Sequence, residues 1–394
     1  MNSDRVGVAP SAIPPRQYAE LAAVIGTICA FSFCIGFVFP VIALALEARG
    51  FDEAAIGLNA SAGGAGVFCG GLMMPRLVHR FGTFTMLAVG VITAVVILML
   101  FPLIDHYWGW VLLRFLLGAA ITALFSLGEA WINAIAGETH RGRTMAVYTA
   151  AMAGSFAVGS FVVSLVGYEG MAPFILAAAI ILVFFAPVLR FRHRDPLEDA
   201  DSLEGHGDVL LIVLKQAAIL MIVVALFGIL DGVALGLLPS YSLAVGVPEA
   251  LGSVPLGAMA LGVLLFQLPL GYLSDRMRRE TLLSLVMFAV VGLAVLMPHV
   301  DLNHWTGLVF MALFGGLSFS PYTLALTMLG DRFKGRKLAA GSALFAVMWG
   351  TGATLGPFAF GFAMEEWGIR SLPYGLALLF LLSGAVSLRD RTGR

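Results

Sequence analysis

Twelve apolar stretches, each long enough to carry a helix across a bilayer, follow one another along this chain with short charged patches between them. They run over about 18–46, 55–75, 83–103, 109–136, 144–167, 171–190, 214–244, 252–274, 280–298, 305–329, 338–363 and 371–388. A helix needs about 20 apolar residues to cross a hydrocarbon core about 30 Å thick. Inside that core only a helix or a closed barrel satisfies its own backbone. Only 12% of the 394 residues are charged and 60% are hydrophobic, whereas soluble domains carry about 25% charged residues. A water-facing surface cannot be built from this composition. The pattern predicts an all-α membrane protein with twelve transmembrane helices.

A net charge of −1 offers no basic surface for nucleic acid. Cys29, Cys34 and Cys69 all fall in apolar runs, where thiols behave as small hydrophobes; they suggest neither disulfides nor a metal site. No cofactor is expected. Residues 1–17 hold Pro10, Pro14 and Pro15 without the features of a cleaved leader, and read as a disordered tail. The one long polar connection lies between the sixth and seventh spans. It divides the chain into a six-span bundle over 18–191, a linker over 192–213, a second bundle over 214–388 and a short tail over 389–394.

Cations set the expected orientation. Connections after even-numbered spans carry Arg76 and Arg80, Arg141 and Arg143, Arg192 and Arg194, Arg276 to Arg279, and Arg332 to Lys337. Connections after odd-numbered spans hold Arg49 and Arg370. Cations favour the cytoplasmic side, so both termini and the linker are expected there. Trp108, Trp110, Trp305 and Trp367 on the opposite side suit a headgroup belt.

The two halves echo each other. Gly71-Leu-Met-Met-Pro75-Arg76, with Arg80 following, returns 200 positions later as Gly271-Tyr-Leu-Ser-Asp275-Arg276, with Arg279 following. Span four ends in Gly137-Glu-Thr-His-Arg141-Gly-Arg143, and span ten in Gly330-Asp-Arg-Phe-Lys-Gly-Arg336. Gly36 and Pro40 in span one match Gly236 and Pro239 in span seven. Self-similarity at a nearly fixed offset signals duplication, and Gly or Pro interrupting matched spans points to a cavity in transporters.

Gly271-x-x-x-Asp275-Arg276-x-x-Arg279 resembles the loop signature of the major facilitator superfamily, and Arg114-x-x-x-Gly118 resembles its span-four signature. Gly128-Glu129-Ala-Trp131-Ile-Asn133 is similar to the YcaD-like bacterial branch. The resemblance implies two pseudo-symmetric six-helix bundles in the plasma (bacterial inner) membrane. It further implies alternating-access transport of a small solute by symport or antiport. The protein is expected to couple to protons, to act as a monomer among lipids, and to catalyse no reaction. A non-transporting receptor or scaffold on the same fold is the alternative. The signature's physical role would be a latch: Asp275 accepting backbone N–H groups at a helix start, with Gly271, Arg276, Arg279, Gly71, Arg76 and Arg80 around it. Pro75 replaces the family's usual aspartate in the first copy.

Ionisable groups at membrane depth each cost about 2.5–3.5 kcal/mol on insertion scales and are functional candidates by default. Three stand out: Arg114 and Glu129 in span four, and Asp231 in span seven. Arg114 could instead snorkel to the interface. Glu129 is too short to reach water from two turns inside, and Tyr148 or Tyr322 could bond it. Gly232-x-x-x-Gly236 after Asp231 lets a neighbouring helix approach. Asn133, Trp131, Tyr148, Gln267 and Tyr322 are candidates to line the cavity.

Overall fold

In the computed structural model, which describes residues 15–135, 137–192 and 207–392, every apolar stretch is a helix. The first six are α1 Pro15–Ala48, α2 Glu53–Phe81, α3 Thr83–Leu100, α4 Tyr107–Ile135, α5 Gly137–Val166 and α6 Ala172–Phe185. A short α7, Gly207–Gln216, leads into α8 Ala218–Ala244, α9 Val254–Arg276, α10 Arg279–Leu296, α11 Trp305–Arg332, α12 Gly335–Trp367 and α13 Ser371–Thr392. Twelve helical segments are long and apolar enough to cross a membrane. Among the described residues there is no strand.

Helix ends correct several boundaries. Gly71 to Arg80 is not a turn: α2 runs through it to Phe81 despite Pro75. The chain reverses only at Gly82, whose φ of 79° is a conformation that glycine adopts without steric cost. In the second copy α9 stops at Arg276 and α10 starts at Arg279, so the two copies are equivalent in sequence but not in helix length. The expected linker over 192–213 gives way to helix at Gly207, because Val209 to Leu214 is already apolar. Helix likewise begins at Pro15, inside the expected tail, and persists to Thr392. Residues 1–14, 193–206 and 393–394 lie outside the described residues.

Packing repeats between the halves. In the first, α1 packs on α5, α2 on α4 and α3 on α6; in the second, α8 packs on α12, α9 on α11 and α10 on α13. The matched pairs are what duplication of one six-helix unit produces. The halves meet through α2 on α12 and α5 on α9, with α1 and α2 also reaching α8.

These seams are tightest at the end that carries the odd-numbered connections. A methyl group on Gly57 would lie 2.2 Å from the Pro357 carbonyl oxygen, and one on Gly64 would lie 2.4 Å from that of Ala353. Backbones come this close only where the side chain is hydrogen. The Phe358 N–H bonds Ser61 Oγ at 2.9 Å, and Ser253 Oγ–H bonds the Ser160 carbonyl at 2.8 Å. Beyond them the Tyr168 hydroxyl donates to Glu249, a contact that pushes the Tyr168 phenol up to about 12. We call this the closed end. At the opposite end Arg279 pairs with Asp331 and, at 3.8 Å, with Asp275, all three within the second half.

Candidate functional site

Asp231 is the midpoint of α8, thirteen residues from either terminus, and hence at the depth where a charge is furthest from water. The helix carries Gly228, Gly232 and Gly236 on the stripe beside it. Gly228 and Gly232 meet α12 at Trp349, Ala353 and Pro357, while Gly236 meets Ala60 of α2. This close approach brings Trp349 over α8, within electrostatic reach of the Asp231 carboxylate. Asp231 is enclosed by helices yet only half-buried, so it opens onto an internal chamber rather than onto lipid.

Glu129 lies near the C-terminal end of α4, in the first half. The Tyr148 hydroxyl of α5 donates to its Oε1 at 2.8 Å, one of the two donors expected from the sequence. The carboxylate sits deep in the bundle and keeps an accessible surface, the same combination as Asp231. Tyr322 of α11 lies within electrostatic reach of both Glu129 and Asp231. One phenol thus feels an acid of the first half and an acid of the second. Cys29 of α1, half-buried beside Ser155 and Tyr148, borders the same region.

Arg114 does not belong to this group. It is 3% exposed, so it does not snorkel. Its guanidinium lies 3.4 Å from the centre of the Phe39 ring and against Gly63 of α2. Among the described residues, its Nε and Nη1 have no hydrogen-bond partner. The missing side chain of Gly63 supplies the space, and the ring face supplies electrostatic attraction.

Of the expected lining residues, Tyr322 and Gln267 are half-buried. Gln267 faces a cleft of about 70 Å³ between α9 and α11, with Ser274, Ser320, Thr323 and Thr327 around it. Trp131 and Tyr148 are corrections. Trp131 is fully buried and donates its indole N–H to Glu20 Oε1 at 3.0 Å, which ties α4 to α1. Tyr148 is also buried and stands behind Glu129 rather than on the wall. The Asn133 side chain lies outside the described residues, as do those of Arg141 and Arg143.

Among the described residues, the latch residues make no hydrogen bond or ion pair across the halves. Asp275 is 76% exposed and contacts Arg279 one turn on. Arg276 lies over the Tyr272 ring and Arg80 over that of Phe81. A side chain added at Gly271 would meet open space. Arg76 and Gly71 are exposed on α2.

Sequence reasoning missed two acids. Glu20 is 1% exposed and was hidden by its place beside the polar tail. Its signal was the unbroken apolar run that begins at Leu21, directly after it. Glu47, at the closed end of α1, lies beside Ser240 of α8 and within electrostatic reach of Glu53 and Glu249. Nothing local in the sequence marks that seam.

A family model described as Major Facilitator Superfamily matches residues 24–323 and 220–393. The uncharacterized MFS-type transporter YfkF of Bacillus subtilis (strain 168) is 28% identical over 354 residues, covering 88% of this chain and 89% of that one. The uncharacterized MFS-type transporter YcaD of Escherichia coli is 22% identical over 281 residues, covering 71% and 70%. Among solved structures, the nucleoside transporter NupG superposes with a TM-score of 0.77 at 13% identity over 95% of this chain and 98% of that one. A D-xylose-proton symporter superposes with 0.70 at 13% identity over 94% and 97%. At such identities the superpositions speak for the fold.

Proposed function

This chain belongs to the major facilitator superfamily, and from that premise we propose that it is a proton-coupled carrier that moves a small solute by alternating access. The observation that carries the reading is that Glu129 and Asp231, one acid from each half, both lie within electrostatic reach of Tyr322. A charge at membrane depth is expensive. Protonating a carboxylate there, or pairing it with a solute, changes the cost of closing the chamber around it. That difference is what a coupling group must supply, because a ligand shifts a conformational equilibrium only by its differential affinity for the two states.

Each half moves as a unit in this account, 18–191 against 214–388, about the seams of α2 on α12 and α5 on α9. The cation-rich connections support a cytoplasmic placement of the end opposite the closed seam. They also support cytoplasmic termini in a plasma membrane of bacterial type. The Gly271, Asp275, Arg276 and Arg279 signature at the end of α9, with Gly71, Arg76 and Arg80 on α2, then serves the state closed toward the cytoplasm. The exposed Asp275 fits the opposite state.

Counterflow in proteoliposomes over a solute panel, with and without a pH gradient, tests the reading. Glu129→Gln is expected to keep counterflow of the transported solute and to lose accumulation driven by the pH gradient. Full gradient-driven accumulation in that variant removes Glu129 from coupling. Absence of counterflow for every solute would instead favour a receptor on the same fold.

A further inference from the structure

The wall of the chamber around Asp231 is built from rings. Phe227 precedes Asp231 by one turn of α8 and so shares its face. It stacks on Tyr322 of α11 with 4.4 Å between centroids and meets Phe319 edge-on at 5.2 Å. Phe345 of α12 lies 6.5 Å from Tyr322. One turn further along α12, Trp349 packs against Gly228 of α8, within electrostatic reach of the Asp231 carboxylate. Three helices therefore surround a single accessible acid with aromatic side chains.

Among the described residues, no lysine, arginine or histidine enters the electrostatic setting of Asp231. Arg114 is occupied with Phe39 in the other half. Among those residues there is also no cluster of His, Cys, Asp and Glu that could hold a metal ion. A small hydrated cation would have to shed its water against ring faces, which replace little of it. A weakly hydrated cation carrying apolar or aromatic surface loses little on entry. It gains from both the carboxylate and the negative faces of the rings.

We propose that this half of the chamber is a binding site for organic cations, with Asp231 as the counter-charge and Phe227, Tyr322 and Trp349 as the aromatic wall. The proposal rests on the transporter reading and adds its substrate class: a monovalent, lipophilic ammonium or phosphonium compound. Neutral polyols and anions fall outside it. The rival account is that the rings only pack α8 against α11 and α12. That account gives them a role in stability and none in charge selection.

The experiment uses the purified full-length protein and a pair of ions of equal shape and opposite sign, tetraphenylphosphonium and tetraphenylborate. Binding is measured by equilibrium dialysis, with protein-free micelles subtracted. Saturable binding of the phosphonium and none of the borate is expected. Asp231→Asn should weaken phosphonium binding about tenfold or more, and Tyr322→Leu should weaken it by a smaller factor, as charge-pair and ring contributions rank. If Asp231→Asn does not fold, Tyr322→Leu decides, read in protein that melts within a few degrees of the parent.

Equal binding of the two ions overturns the proposal, as does parental phosphonium affinity in a folded variant. Loss of the proposal with counterflow of a neutral solute intact would leave the transporter reading standing. Phosphonium binding without counterflow of any solute would do the reverse.

Discussion

Glu20 and Glu129 are two acids on the same flank of the bundle with different fates. Glu20 is sealed and bonded by the Trp131 indole, whereas Glu129 keeps an accessible edge while Tyr148 bonds one oxygen. A sealed acid is a structural group, and an accessible one can exchange its proton. Trp131→Phe removes the indole donor without emptying the site. It is expected to cost about 1.5–3 kcal/mol, the range for a hydrogen bond to a charged group, and to lower Tm while sparing gradient-driven accumulation. An unchanged Tm would show that Trp131 contributes packing alone. Glu129 and Asp231 are conspicuous in the sequence because an acid inside an apolar run stands out. The sequence could not distinguish lining from support: Trp131 and Tyr148 have the composition of a cavity wall, but their exposure depends on where α1 and α5 pass.

At the scale of elements, helix identity was legible from hydropathy and helix ends were not. Residues 76–81 are polar enough to suggest a turn, yet backbone hydrogen bonding carries α2 on to Gly82. The seam between α2 and α12 joins residues some 300 positions apart in a chain with no local mark of the pairing, so Gly57 and Gly64 are ordinary membrane glycines until the halves meet. Their contact is the closest approach between α2 and α12 at the closed end. Gly57→Leu places a side chain where a methyl group already comes within 2.2 Å of the Pro357 carbonyl oxygen. The variant is expected to hold that end apart and to lower transport about tenfold or more, a displacement of at least about 1.4 kcal/mol. Cysteine-reagent access to a probe on Ser61 measures the opening directly. Parental access and transport would mean that the seam yields elsewhere.

For the whole molecule, the claim is that the two copied halves rock about a chamber, so that opening at one end accompanies closure at the other. The repeat in sequence foretold the paired packing of α1 on α5 with α8 on α12, and of α2 on α4 with α9 on α11. Duplication copies contacts along with residues. Which end is closed was not legible, because both states satisfy the same hydropathy pattern. The deciding measurement is a pair of distances between spin labels on α2 or its N-cap residue and labels on α12. One pair replaces the exposed Asp52 and Glu366 at the closed end, and the other replaces the exposed Arg76 and Lys337 at the opposite end. With transported solute and a pH gradient, the first distance is expected to lengthen as the second shortens, with the two populations changing in step. Distances that stay fixed at both ends while solute crosses the membrane, or that lengthen together, contradict the account.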